Sequence, residues 1–143
     1  MTYALDMREI APMDTVEFDG VKYTALPCTH AAGTYGYLIE TGDTRMFYAS
    51  DTGKLPSETY ERLRDIDILA MDATFWKNNW SPAAHHSVQE CIEEGLSLNA
   101  GKIYLTHLCM HYDEPITLVE LEEFLTQYKG RVEAAHDGLT FEI

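Results

Sequence analysis

Two short apolar runs, Asp67 to Ala73 (DILAMDA) and Lys102 to Thr106 (KIYLT), constrain this chain more than any other feature. Each is short and too uniformly apolar for a strand with one wet face, so both read as strands covered on both sides. Between them Ser87-Val88-Gln89-Glu90 is a capping-box sequence, in which a hydroxyl accepts from the backbone three residues on and a carboxylate reaches back. Val88, Cys91, Ile92, Gly95 and Leu96 then recur at helical spacing, and Gly101 suits the position just past a helix end.

The flanking segments extend the pattern. Asp14 to Asp19, an Asp19-Gly20 turn and Val21 to Pro27 read as a hairpin. Tyr35 to Glu40 and Arg45 to Ser50, on either side of Thr41-Gly42-Asp43, read as another. A short helix is expected over Pro56 to Arg64 with Tyr60 and Leu63 inward. Leu118, Leu121, Leu125 and Tyr128 mark a last helix that stops at Gly130, and Asp137-Gly138 turns into a closing strand from Leu139 to Ile143. Hairpins followed by alternating strands and helices give an α/β sheet with helices packed on it. The 143 residues contain no repeat and no linker and are expected to form one domain, residues 1–143.

A formal charge of −14, from 24 acids against 10 bases, repels a phosphate backbone and disfavours RNA or DNA as the main partner. The apolar runs are too short to span a bilayer, and Met1 to Asp6 has no secretory pattern. Cys28, Cys91 and Cys109 form no CxxC pair, which fits reduced thiols and a cytoplasmic location. Cys109 reads as a buried, inert thiol or as a soft metal ligand beside His107.

Polar residues with metal-binding chemistry gather at segment ends. His30 lies beyond one strand, Asp51 directly after another, and His107 ends a third. Ligands in α/β sheets collect beyond the carboxyl ends of strands. Imidazole nitrogen and carboxylate oxygen suit divalent cations at neutral pH, and one carboxylate has two oxygens with which to bridge two ions. For any one of these histidines, a loop or core residue satisfied by backbone is the competing reading. Asp72 ends its strand either to orient a ligand or to cap a turn. Trp76 and Trp80 either line a pocket or cover the following helix.

The wording is more specific than the spacing. Pro27-Cys28-Thr29-His30, Gly36-Tyr37-Leu38-Ile39-Glu40, Tyr48-Ala49-Ser50-Asp51-Thr52-Gly53, His85-His86-Ser87, Leu105-Thr106-His107-Leu108 and Asp137-Gly138 occur in that order. Together they resemble the C-terminal half of the metallo-β-lactamase superfamily, nearest to the phosphodiesterase of phosphonate breakdown, which hydrolyses cyclic ribose phosphates. The resemblance implies an αββα sandwich, of which this chain would hold one mixed sheet with its helices. It implies a metal-dependent hydrolase of small phosphate esters with two divalent ions, zinc or manganese, and a metal-bound hydroxide as nucleophile. His30 would be a ligand of the first ion, His107 of the second, and Asp51 would bridge them. His86 would face the substrate as general acid or phosphoryl-oxygen partner, with His85 turned elsewhere.

The superfamily's His-x-His-x-Asp-His motif does not occur in these residues. By resemblance, half of the metal ligands would then come from another segment, and a sheet face or edge would be left bare. Activity would need association with that missing N-terminal half. One alternative is a non-catalytic domain that dimerises over its bare face and binds metal weakly or not at all. Another is a mononuclear metal protein using His30, Asp51 and His107, with or without His111, which otherwise reads as a loop residue or outer partner.

Overall fold

The computed structural model describes residues 9–109 and 114–142, so His111 lies outside the described residues. Seven strands form one sheet in chain order: β1 (Thr15–Phe18), β2 (Val21–Pro27), β3 (Tyr35–Thr41), β4 (Thr44–Ala49), β5 (Ile68–Asp72), β6 (Lys102–Thr106) and β7 (Val132–Ala134). The first four are antiparallel neighbours, and β4 to β7 are parallel. Helices α1 (Ser57–Arg62), α2 (Val88–Ser97) and α3 (Leu118–Leu125) fill the crossovers, which parallel strands require. The sequence expectation of a mixed α/β sheet holds.

Local chemistry explains the boundaries. Ser87 accepts from the Glu90 N–H while the Glu90 carboxylate accepts from the Ser87 N–H, the reciprocal cap read from the sequence. Thr117 and Glu120 build the same device on α3. Gly101 does not take the expected left-handed position. That conformation falls to Asn99, with φ of 56°; a Cβ on Gly101 would instead meet the Asp67 carbonyl oxygen at 2.8 Å, so its smallness serves a close backbone approach. The closing strand expected over Leu139 to Ile143 is also absent among the described residues. Val132–Ala134 extends the parallel sheet, and Phe141 stacks on Tyr104 with ring centroids 4.9 Å apart.

One sheet face is packed. Leu26, Leu38, Phe47, Leu69, Met71, Ile103 and Leu105 are buried there with Val88, Cys91 and Ile92 of α2 and Leu121 and Leu125 of α3. α2 approaches so closely that a Cβ on Gly95 would lie 2.6 Å from Ile103 and 3.0 Å from Leu69. Side chains alternate across a strand, so Tyr37, Tyr48, Ala70 and Tyr104, which are in register across β3 to β6, occupy the opposite face. Tyr37 and Tyr48 remain exposed there. Trp76 covers the core against Phe124 of α3, whereas Trp80 is exposed and meets the edge of Phe75. Cys109 is half-buried, and Cys91 is the thiol sealed in the interior. Among the described residues no helix is long and apolar enough to cross a membrane.

Candidate metal centre

β2 runs antiparallel to β3 and β3 to β4, so β2, β4, β5 and β6 all end at the same sheet edge. His30, Asp51, Asp72 and His107 follow from those four ends, and the loop from β5 to α2 adds His85. Ligand atoms of His30, Asp51 and His85 lie within 4.8 Å of one another, as do those of Asp72, His85 and His107. His107 Nε2 stands 3.4 Å from Asp51 Oδ1. The His85 ring sits between the other two, 5.0 Å from His30 edge-on and 5.4 Å from His107 in a stack.

Asp72 organises this edge from below. It has no solvent exposure and accepts four hydrogen bonds: from the Thr52 N–H, the Thr74 N–H, the Thr74 hydroxyl and His85 Nδ1 at 2.7 Å. It therefore both caps its turn and orients a histidine. The Thr74 proton goes to Asp72, so Thr74 Oγ1 accepts from His107 Nδ1 at 2.8 Å. Both histidines then carry their proton on Nδ1, which leaves the Nε2 lone pairs available. His107 also has φ of 55°, rare for a residue with a side chain and common where function dictates the backbone.

The pair His85-His86 is oriented opposite to the sequence expectation. His86 is 3 % exposed, with Nδ1 2.7 Å from the Thr52 carbonyl and Nε2 2.8 Å from Glu94. Burial pulls its pKa down, but the hydrogen bond and charge of Glu94, with the Thr52 carbonyl, outweigh that and the net shift is upward. His85 is the one beside His30 and Asp51. Adjacent residues do point apart, as the sequence reading held; which of them faces the site depends on the turn over Ser81 to Ala84, where Ala84 and His85 both donate to the Ser81 carbonyl. Thr74, two residues past the strand end, was missed as well, although an Asp-x-Thr at a strand end is a legible turn signal.

The donor set of imidazoles and an ionised carboxylate is one that zinc, manganese or iron accepts. His85 belongs to both groups, His30 and Asp51 to the first and Asp72 and His107 to the second, and the 3.4 Å approach of His107 Nε2 to Asp51 Oδ1 joins them.

Residues 2–108 match the beta-lactamase superfamily domain, and the chain belongs to that family. A ribonuclease Z of Myxococcus xanthus is 29% identical over 103 residues, covering 69% of this chain and 33% of the relative. A ribonuclease Z of Pyrobaculum neutrophilum is 34% identical over 74 residues, 49% of this chain and 25% of its own. Among solved structures, a diphosphatase of the PhnP family shares 28% identity with a TM-score of 0.70 over 93% of this chain and 47% of that one. The metallo-beta-lactamase fold protein YhfI of Bacillus subtilis superimposes with a TM-score of 0.75 at 21% identity, covering 93% and 54%. The fold is thus the metallo-β-lactamase fold. The chain spans a quarter to a third of the length of these curated relatives. Divalent metals and hydrolysis are the common chemistry of the family. Relatives named as ribonucleases sit poorly with the expectation, drawn from charge, that nucleic acid is not a main partner.

Proposed function

We propose that this chain supplies part of the active site of a metal-dependent, phosphodiesterase-type hydrolase of small phosphate esters. The carrying observation is the convergence of His30, His85 and His107 on Asp51 at one sheet edge. His30 and His107 would each hold one divalent cation, zinc or manganese, with Asp51 between them. When bound, such ions lower the pKa of water and stabilise charge on an oxygen under attack. His85, whose Nδ1–H is held by Asp72, has an Nε2 lone pair that would first take up a proton, and the imidazolium so formed would pass it to the leaving-group oxygen. That is the role the sequence reading gave to His86, which has no free ring nitrogen.

A cavity of about 920 Å³ opens beside His85 and is lined by Glu61, Glu90, Glu93 and Glu94 with Lys54. With Glu94 paired to His86, three carboxylates against one ammonium disfavour a polyanionic strand and suit a small ester bearing hydroxyls. Full activity requires further ligands from a segment carrying His-x-His-x-Asp-His, which would pack on the face of Tyr37 and Tyr48. The exposure of those two rings also supports the second reading, a non-catalytic domain that pairs with another copy over this face.

The test is hydrolysis of a cyclic ribose phosphate and of a tRNA precursor by the zinc- or manganese-loaded protein, alone and with a polypeptide carrying the His-x-His-x-Asp-His segment. Turnover of the small ester in the mixture, lost in Asp51→Asn, supports the proposal. Preferential cleavage of the RNA overturns the substrate class. No turnover in either case, with a dimer on a sizing column, favours the second reading.

A further inference from the structure

Resting on the proposed role of Asp51, we infer that His86 and Glu94 form a positioning pair that clamps the Asp51 loop to α2 and so fixes where the carboxylate stands. A buried ion pair is a poor way to gain stability, because apolar residues of similar volume often do as well. What this pair provides is direction. His86 Nδ1 donates to the Thr52 carbonyl at 2.7 Å, and the Leu55 N–H points at both Glu94 oxygens at 3.3 Å. One end of the segment that follows Asp51 is thereby tied to His86, just ahead of α2, and the other to Glu94 within α2. His86 Nε2 and Glu94 close the link between them at 2.8 Å.

The clamped segment also touches the supports of His30 and His85. Gly53 N–H donates to the Thr29 carbonyl, the Thr29 N–H to Thr52 Oγ1, and the Thr29 hydroxyl to the Lys54 carbonyl, all next to His30. Thr52 N–H donates to Asp72, the anchor of His85. A Cβ on Gly53 would lie 2.5 Å from the Pro82 carbonyl oxygen, so the segment rests directly on the turn that leads into His85. A shift of this loop would displace Asp51 and loosen His30 and His85 together. His86 and Glu94 also line the cavity beside His85. A catalytic histidine there needs a ring nitrogen to offer, and both of these are committed.

The test compares wild type with His86→Ala, His86→Gln and Glu94→Gln by two measurements: amide hydrogen exchange without metal, and cobalt(II) titration followed by its visible absorption. In His86→Ala, exchange at Gly53 and Leu55 should accelerate about tenfold while β5 and β6 amides keep their protection. The apparent Kd for cobalt should rise on the order of tenfold, the usual effect of removing a group that orients a ligand. His86→Gln retains an N–H donor and should recover part of both losses, and it serves if the alanine variant does not fold. Unchanged loop exchange, or an unchanged cobalt spectrum and affinity in folded His86→Ala, overturns the clamp. If wild type takes up no cobalt at all, the metal reading of the site fails instead, and the exchange measurement still decides the clamp.

Discussion

His85 Nδ1 lies 2.7 Å from Asp72 Oδ2, and this contact sets the direction in which the site presents its lone pairs. The Asp72 carboxylate is fully buried and surrounded by donors alone. Asp72→Asn would turn an NH2 group toward some of them, leaving buried donors facing a donor. We expect a stability loss of about 3 kcal/mol, measured by urea denaturation, together with weaker zinc binding because His85 and His107 lose their fixed tautomers. A change within 0.5 kcal/mol would show that Asp72 is not the anchor.

The His86–Glu94 pair makes stability depend on pH in a defined sense. The folded imidazole has a pKa above its ordinary value. Its contribution is therefore fully present below the unfolded value of about 6.5 and is lost as pH rises through the folded value. The stability gap between wild type and His86→Gln should accordingly be widest below about pH 6.5 and narrow as pH rises through the folded value. Denaturant midpoints for both proteins across pH 5 to 9 check this; a gap that widens with rising pH would contradict it.

Gly95→Ala sets two effects against each other. Alanine gains up to about 1 kcal/mol of helix propensity, but its Cβ would lie 2.6 Å from Ile103 and 3.0 Å from Leu69, both without solvent exposure. Overpacking of this kind costs about 1–3 kcal/mol, so net destabilisation is expected in thermal melts. Stabilisation would mean that α2 sits further from the sheet.

Ser87→Ala removes one half of the reciprocal cap on α2 and should cost about 1 kcal/mol. Because the Glu90 and Cys91 N–H groups donate to the Ser87 hydroxyl and carbonyl, the same variant should also increase amide exchange at these two residues more than in α3. Uniform exchange across both helices would argue against a local cap.

Much of this fold was legible because the signals were local. The bounds of Val21–Pro27 and Lys102–Thr106 follow from apolar content and turn residues, and Ser87 with Glu90 announces α2. β7 was not legible: Val132–Ala134 is three residues long and owes its place to pairing with β6 rather than to its own pattern. In the candidate site, strand-end polarity pointed to His30, Asp51 and His107, which the fold brings to one sheet edge. The exchange of His85 for His86 was beyond local reading, since it depends on Glu94 and Thr52, which lie 8 and 34 residues away from His86. The supporting place of Thr74 likewise appears only when two strand ends are side by side.

The most direct measurement is zinc titration of the protein followed by ring ¹⁵N resonances of its histidines. Signals of His30 and of His107 Nε2 should shift saturably, those of His86 and His136 should stay in place, and Asp51→Asn should abolish the response. Ring resonances of His30 and His107 that do not move through stoichiometric zinc, or a response centred on His86, would contradict the assignment of this sheet edge as a metal centre.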